Sequence, residues 1–273
     1  MYLLNLITQS YSFPQLTILI PHQSSDMPSN TILAFDAYGT LLSTSSIADK
    51  LTFHFPTPTA TAIATQWRRY QLEYTWRSNS MGLYNNFSML TRRALRHALA
   101  EAEVTLDDAQ MEEVMEAYDS LSTFPDVKDL LEKLQGEGGE GMKAVIFSNG
   151  TEAMVSRSVS SSPDLGPHSQ LFSSIVSVDS TRKFKPAPET YHHLAAEVGK
   201  DPLKAEEMAE IWLVSGNPFD VVGGRSVGMN AIWVDREGSG WVDSMQPRDS
   251  GRPTAVVRGL GEVVEVVRKE GGR

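Results

Sequence analysis

Short apolar runs alternate with helix-like stretches along most of the chain, and this alternation limits its possible folds more than any other sequence feature. The apolar runs TILAFD, KAVIFSNG, IVSVDS, EIWLVSGN and AIWVD are separated by segments with helical periodicity, such as DVKDLLEKLQ and ETYHHLAAEV. Alternation of this kind predicts an α/β fold, in which helices cover both faces of a parallel sheet. Ligands of such a sheet bind beyond the carboxyl ends of its strands.

The alternation is interrupted once, after the first apolar run. From about residue 44 to residue 123 the sequence keeps a helical periodicity, as in ATAIATQWRRYQLEYTW and NNFSMLTRRALRHALAEAE. We therefore predict a Rossmann-like α/β core with a helical cap inserted after the first strand. The predicted core comprises residues 29–43 and 124–273, and the predicted cap comprises residues 44–123.

The first 26 residues differ from the rest because they contain no Lys or Arg. A secretory signal needs a basic region, and a membrane span needs roughly 18 or more apolar residues, so neither is predicted here. We interpret residues 1–28 as an N-terminal extension outside the domain, with Met27 as a candidate translation start. Without a signal, and without Cys to mark an oxidising compartment, the expected location is cytoplasmic and no membrane partner is expected.

Charge and cysteine content exclude several classes of function. Lys and Arg number 24 against 34 Asp and Glu, and the resulting net charge of -10 opposes a nucleic-acid partner. The chain contains no Cys, which excludes disulfides, iron–sulfur clusters, thiolate zinc sites and cysteine nucleophiles. Carboxylates and histidines are the metal ligands that remain.

Polar side chains follow the predicted strands at the points where the apolar runs end. Parallel strands bring their carboxyl ends to one edge of a sheet, so we expect these side chains to converge although they are far apart in the sequence. In chain order the set is Asp36 with Tyr38 and Thr40, Ser148 with Asn149, Lys185, and Ser215 with Asn217 and Asp220.

Five motifs occur in order from Thr31 onward: FDAYGTL, WRRYQLEYTW, FSNG, KPAPETY and SGNPFD. On these motifs the sequence resembles the haloacid dehalogenase superfamily and, within it, the type II 2-haloacid dehalogenases. The resemblance implies that Asp36 is a nucleophile and that the substrate is a small 2-halo acid. It also implies that no cofactor is used and that a homodimer forms through the helical cap.

Two positions separate dehalogenation from the phosphatase chemistry that dominates the superfamily. Tyr38 stands where phosphatases of this fold place a second Asp, which protonates the leaving alkoxide; a departing halide needs no proton. Ser215 and Asn217 stand where phosphatases supply an acidic magnesium ligand, and magnesium prefers carboxylate oxygens. We therefore expect no metal requirement.

Two other interpretations remain open. One is a magnesium-dependent small-molecule phosphatase, and the other is a non-catalytic binding protein that keeps the fold. The joint presence of Asp36, Arg68, Lys185 and Asp220 argues against the second interpretation, because a silent relative has no need of all four.

Lys185 is expected near Asp36, where its positive charge would keep the nucleophile ionised. Ser148 and Asn149, with backbone N–H groups at the start of the next helix, form a predicted cradle for the substrate carboxylate. A simple N-cap formed by Ser148 is compatible with the same role.

The resemblance places Arg68 over the active site, in contact with the substrate carboxylate or the departing halide. Arg69 is the alternative, since adjacent helical residues diverge by about 100°, but the family motif favours Arg68. Members of the family often carry Gln at the position of Arg69, which leaves the substrate preference open.

Several side chains match family positions that shape the substrate pocket. Tyr191 matches a position that helps to order the site. The remaining four match positions around the apolar part of the substrate, although aromatic residues at such spacing are equally typical of a protein core. They are Tyr38, Leu72, Phe87 and Phe219.

The resemblance implies a two-step reaction. Asp36 attacks C2 of the substrate and the halide departs with the help of Arg68, which leaves an ester on Asp36. Water oriented by Asp220 then attacks the ester carbonyl, and a 2-hydroxy acid of inverted configuration is released. Thr40 and Ser215 are expected to hold the oxyanion. The residues assigned to catalysis are Asp36, Thr40, Arg68, Lys185, Ser215, Asn217 and Asp220.

Overall fold

The computed structural model describes residues 31–245 and 251–271, and the interpretations of residues 1–28 fall outside this part of the chain. A parallel sheet lies at its centre. Its strands are β1 (Thr31–Asp36), β2 (Met142–Ser148), β3 (Phe172–Ser177), β4 (Ile211–Ser215), β5 (Asn230–Val234) and β6 (Ala255–Val257). They lie in the order β3-β2-β1-β4-β5-β6, which confirms the predicted parallel α/β core.

Helices cover the sheet and form a separate group between β1 and β2. This group consists of α1 (Ile47–Leu51), α2 (Thr57–Met81), α3 (Phe87–Glu101) and α4 (Asp108–Tyr118). The other helices are α5 (Val127–Gln135), α6 (Glu152–Ser161), α7 (Pro188–Glu197), α8 (Ala205–Met208), α9 (Pro218–Ser226) and α10 (Val263–Gly271).

Strand β1 lies at the centre of the sheet, between β2 and β4. All six of its residues are buried, as expected of a strand that is covered on both faces. The chain runs from β1 to β2 and β3 on one side of the sheet and returns to β4 on the other side. The carboxyl end of β1 therefore lies at a topological switch point, where ligands of open α/β sheets bind.

Helix α2 is the longest helix described and packs against α3. It ends at Gly82, whose left-handed backbone (φ 63°) is the usual stop signal of a helix. Its buried stripe is apolar in the first half and becomes polar at Gln71, Thr75 and Ser78. Burial of these polar side chains requires partners, and those of Gln71 belong to the site described below.

Arg236, just after β5, holds the two segments that connect the core to the helices α1 to α4. Its Nε and Nη2 atoms donate to the two carboxylate oxygens of Asp126, both at 2.9 Å. The same Nη2 donates to the Thr40 carbonyl at 2.8 Å, and the guanidinium lies 3.8 Å from the centre of the Phe124 ring. The partly buried guanidinium of Arg236 thus fixes both connections to the core, including the segment that carries Thr40.

The strand β6 is absent from the strands predicted from sequence, because three residues are too short to show a strand period. Within the described residues, every helix is too short or too polar to cross a lipid bilayer.

Candidate active site

Asp36, the last residue of β1, is held by three side chains from distant parts of the chain. Its Oδ1 accepts a hydrogen bond from Lys185 Nζ at 2.9 Å. Its Oδ2 accepts two, from Thr40 Oγ1 at 2.8 Å and from Asn217 Nδ2 at 2.7 Å. The carboxylate is therefore fixed in one orientation at the switch point, with Oδ2 carrying more donors than Oδ1.

Lys185 is almost fully buried, at 1% exposure, and all three of its ammonium protons have acceptors. These are Asp36 Oδ1 at 2.9 Å, Asp220 Oδ2 at 2.8 Å and the Phe147 carbonyl at 3.1 Å. Burial by itself lowers the pKa of Lys185, but the charges of Asp220 and Asp36 outweigh it, and the pKa is raised above its ordinary value. The ammonium thus remains charged between the two carboxylates.

Asp220, in the first turn of α9, is fully buried and uses both carboxylate oxygens. Oδ2 accepts from Lys185, and Oδ1 accepts from the Tyr191 hydroxyl at 2.8 Å. Burial raises the pKa of Asp220, and the charge of Lys185 opposes that rise. The pKa of Tyr191 is raised well above its ordinary value, chiefly by burial, so its hydroxyl stays protonated and donates to Asp220.

Thr40 and Ser215 play different parts in the turns beside Asp36. The Thr40 hydroxyl donates to Asp36 and accepts from the Gly216 N–H at 2.9 Å. The Ser215 hydroxyl accepts from the Asn217 N–H at 3.1 Å, so it supports the turn that presents the Asn217 amide. Gly216 has no room for a side chain, because a Cβ there would lie 2.5 Å from the Gly39 carbonyl oxygen.

Arg68 reaches the site from helix α2, whereas its neighbour Arg69 is exposed. Nη2 of Arg68 donates to the Tyr38 carbonyl at 3.0 Å and to Asn217 Oδ1 at 3.3 Å. Arg69 instead donates to Gln66 on the outer surface of the same helix, at 3.0 Å. Arg68 is therefore the arginine that contacts Asn217, a residue that itself donates to Asp36.

Gln71, which sequence reasoning missed, holds the other arm of the Arg68 guanidinium. Its Oε1 accepts from Arg68 Nη1 at 2.7 Å and from the Tyr118 hydroxyl at 3.1 Å. Its Nε2 donates to the Thr91 hydroxyl at 2.7 Å. Gln71 is fully buried, and its position three residues after Arg68, on the same helix face, is the sequence signal that could have identified it.

The four apolar residues predicted around the substrate divide into two pairs. The rings of Tyr38 and Phe87 are buried and stack on each other at 5.7 Å. The pKa of Tyr38 is raised, chiefly by burial, so its hydroxyl stays protonated. Leu72 and Phe219 are partly exposed, and the Phe219 ring meets the edge of Trp76 at 5.4 Å. The second pair thus lies on the accessible side of helices α2 and α9.

Ser148 and Asn149 form the turn after β2. The Ser148 hydroxyl accepts from the Gly150 N–H at 3.0 Å, and Asn149 Oδ1 accepts from the Lys185 N–H at 2.8 Å. The idea that Ser148 caps the next helix is wrong, because Thr151 is the N-cap residue of α6 and accepts from the Met154 N–H. Two residues of the turn after Ser148 separate it from the helix start.

Lys185 bridges the two carboxylates at the centre of the site. The ammonium of Lys185 lies between the Asp36 and Asp220 carboxylates, in hydrogen-bond contact with both, and so occupies the place of a bridging cation. Over residues 31–245 and 251–271, three or more His, Asp or Glu side chains are nowhere grouped so that they could hold a metal ion. The site can therefore supply the fixed carboxylate of Asp36 and the buried positive charge of Lys185.

Several known proteins with related sequences and structures are dehalogenases. The model of the haloacid dehalogenase-like hydrolase family matches residues 31–228. Haloacetate dehalogenase H-2 of Moraxella sp. (strain B) is 33% identical over 206 residues, which cover 76% of this chain and 86% of that protein. The (S)-2-haloacid dehalogenase H-109 of Pseudomonas putida is 32% identical over 231 residues, with coverage of 85% and 95%.

A solved structure extends the similarity to three dimensions. The L-2-haloacid dehalogenase of Xanthobacter autotrophicus, determined with chloropropionic acid covalently bound, superposes with a TM-score of 0.74 at 29% identity. The match covers 87% of this chain and 98% of that one.

Proposed function

The chain belongs to the haloacid dehalogenase-like hydrolases, and from this premise we propose that it hydrolyses the carbon–halide bond of short 2-haloalkanoic acids. The products are a 2-hydroxy acid and a halide ion. The relatives named above carry dehalogenase activity in their names, and they are matched over most of their length.

One observation carries the proposed mechanism: the Asp36 carboxylate is held by a lysine, a hydroxyl and an amide. A phosphatase would need a metal at this carboxylate and an acid two residues later. Here the cation in contact with Asp36 is Lys185, and position 38 holds a protonated Tyr. The arrangement favours displacement of a leaving group that departs as an anion without a proton.

The first step is nucleophilic attack by Asp36 on C2. A carboxylate oxygen has about two lone pairs, and both of those on Oδ2 already accept hydrogen bonds. Oδ1 accepts only from Lys185 and keeps a free pair for the attack. The new C–O bond forms as the carbon–halogen bond breaks, and the halide leaves with the bonding electrons. Arg68, whose guanidinium contacts Asn217, stabilises the departing halide.

The second step is hydrolysis of the ester on Asp36. Water adds to the carbonyl carbon, and negative charge develops on Oδ2, where Thr40 and Asn217 already donate hydrogen bonds. Two donors fixed before the reaction form an oxyanion hole. In this assignment Asn217 takes the role that we first expected of Ser215, whose hydroxyl serves the Asn217 backbone.

Asp220 is proposed to receive the proton of the attacking water and to return it to the ester oxygen as the bond between that oxygen and the Asp36 carbonyl carbon breaks. The 2-hydroxy acid is released, and the second proton of the water passes to solvent as the Asp36 carboxylate re-forms. Its burial raises its pKa and so makes it a stronger base than an exposed carboxylate. Both of its oxygens already accept a hydrogen bond, so water must use a remaining lone pair. Lys185 keeps Asp220 beside the ester once Asp36 has lost its charge.

The covalently bound chloropropionic acid of the Xanthobacter enzyme supports an enzyme-bound intermediate in this family. The test is halide release from a panel of short 2-halo acids, with and without a chelator. We expect release that the chelator leaves unchanged. Turnover of phosphate esters that stops with the chelator, without halide release, would contradict the proposal.

A further inference from the structure

Phe184, the residue before Lys185, is held by the helices that lie between β1 and β2. We infer that Asn79, near the end of α2, is a positioning residue that sets Lys185 through the backbone of Phe184. The inference rests on the proposed function, in which Lys185 is the cation beside the nucleophile. None of the motifs or relatives described above points to Asn79.

Both polar atoms of the Asn79 amide bind the backbone of one residue. Nδ2 donates to the Phe184 carbonyl at 2.7 Å, and Oδ1 accepts from the Phe184 N–H at 3.0 Å. Two residues of adjacent antiparallel strands exchange hydrogen bonds in the same way, through one N–H and one C=O group each. The two bonds therefore fix both the position and the orientation of the Phe184 backbone. The Phe184 carbonyl also accepts from the Ala187 N–H at 2.9 Å, whereas its N–H is bound by Asn79.

The side chain of Phe184 is held from the same direction. It is fully buried, and its ring stacks on Tyr84 at 5.3 Å and tilts against Phe87 at 6.3 Å. Tyr84 is in turn tied to the core through a hydrogen bond from its hydroxyl to Asp179. Residues between 79 and 87 therefore surround Phe184, while Asn79 alone in this group binds its main chain.

Lys185 follows directly and has little freedom to compensate for a shift. Its N–H donates to Asn149 Oδ1 at 2.8 Å, and its Nζ has three acceptors at 2.8–3.1 Å. A backbone displacement of about 1 Å would stretch at least one of the bonds to Asp36 or Asp220 beyond hydrogen-bond length. Misplacement of that size is enough to lower catalysis by about 10²-fold.

The same helix therefore contacts both sides of the nucleophile. Arg68 and Asn79 are eleven residues apart in the sequence, about 16 Å along the α2 axis. Arg68 binds Asn217, and Asn217 donates to Asp36 Oδ2. Asn79 binds Phe184, and the next residue, Lys185, donates to Asp36 Oδ1. Docking of α2 thus sets the donors on both carboxylate oxygens.

The first test compares Asn79→Ala and Asn79→Asp with a control in the same helical group, Asn86→Ala. Asn86 caps α3 by accepting from the Met89 N–H at 2.9 Å and has no bond to Phe184. We expect kcat to fall about 10²-fold in Asn79→Ala with KM little changed. Asn79→Asp keeps the acceptor but turns a carboxylate oxygen toward the Phe184 carbonyl, so its kcat should fall at least as far as that of Asn79→Ala. Asn86→Ala should keep the wild-type kcat.

The pH profile separates positioning from a general loss of stability. If Lys185 drifts, Asp220 loses the positive charge that opposes the rise of its pKa, and its protonation becomes easier. The acid limb of kcat/KM should therefore move to higher pH in Asn79→Ala and stay in place in Asn86→Ala. A stability defect alone would lower the amount of active enzyme without moving the limb.

A second readout does not depend on activity. The reaction of each lysine with acetic anhydride, followed by peptide mass spectrometry, reports its accessibility. Lys185 should react slowly in the wild type and at least tenfold faster in Asn79→Ala, while Lys200, buried beside Glu210, should not change. A wild type that releases no halide would remove the proposed function but leave this readout valid. Unchanged labelling and pH limb in Asn79→Ala, or equal changes in Asn86→Ala, would overturn the inference.

Discussion

The hydroxyl of Tyr191 occupies the space beside Gly223 that the Cβ atom of any other residue would fill. A Cβ at position 223 would lie 2.2 Å from the Tyr191 hydroxyl oxygen and 2.6 Å from the carbon that bears it. Gly223 therefore allows Tyr191 to donate to Asp220 Oδ1 at 2.8 Å. The glycine belongs to α9, the helix that also carries Asp220.

Gly223→Ala is expected to push Tyr191 away from Asp220 and to lower kcat by about 10²-fold, because Asp220 and Lys185 lose their fixed positions. Crowding of a packed site should also cost about 1–3 kcal/mol of unfolding free energy. Steady-state kinetics and urea unfolding measure the two effects.

Gly224→Ala is the matched control for crowding. A Cβ there would lie 2.7 Å from a terminal methyl carbon of Leu213, which is part of the apolar core. This variant should lose comparable stability and retain its kcat. Equal kcat values for the two variants would show that the contact between Gly223 and Tyr191 does not serve the site.

Gln71→Leu is expected to release Arg68 from its fixed orientation. The substitution leaves Arg68 Nη1 and the Tyr118 hydroxyl without their shared acceptor, which should cost about 1–3 kcal/mol of stability. It should also lower kcat/KM for a 2-halo acid, because the Arg68 guanidinium is no longer held in the orientation that stabilises the departing halide.

Gln66→Leu, on the same helix, removes the partner of the exposed Arg69 and serves as the control. It should leave kcat/KM unchanged. A loss of the same size in both variants would mean that Gln71 matters for the helix and not for Arg68.

Removal of the buried cation should change how stability depends on pH. The folded-state pKa of Lys185 is raised above its ordinary 10.5, because the two carboxylates outweigh burial. A group with a raised pKa stabilises the fold fully below its unfolded pKa, and the contribution disappears as the pH rises through the folded pKa. Lys185→Met should therefore be less stable than the wild type at neutral pH, by about 3–5 kcal/mol, since it leaves two buried carboxylates unpaired.

The difference in unfolding midpoint between the wild type and Lys185→Met should persist up to pH 10.5 and shrink above it. Thermal unfolding across the alkaline range measures this. A difference that stays constant through strongly alkaline pH would contradict the assigned charge of Lys185.

The sequence was sufficient to predict the parts of the fold that depend on local pattern. Buried apolar runs ending in polar residues predicted the parallel sheet, and the motifs predicted the family, and both predictions are confirmed. The strand ends also located Asp36, because strands of a parallel sheet must end on one edge. Lys185 lies eight residues after the end of β3, and its place beside Asp36 was expected from the KPAPETY motif.

The residues that sequence analysis missed act through contacts between distant elements. Asn79 and Gly223 show no local signal of their role, since each is defined by a partner 105 or 32 positions away in the sequence. Gln71 had a local signal, its position three residues after Arg68, but its other partner Thr91 lies 20 positions away. The same reason explains the role of Ser215: its position at a strand end was evident, but only the geometry shows that its hydroxyl binds the Asn217 backbone.

The central claim is that Asp36 forms a covalent bond to carbon, and a single turnover in heavy-oxygen water tests it most directly. With enzyme in excess over 2-chloropropionate, water attacks the Asp36 carbonyl, so the heavy oxygen should appear in the peptide that contains Asp36. The hydroxyl of the released 2-hydroxy acid should then carry ordinary oxygen from the enzyme. Label in the product together with an unlabelled Asp36 would contradict the account.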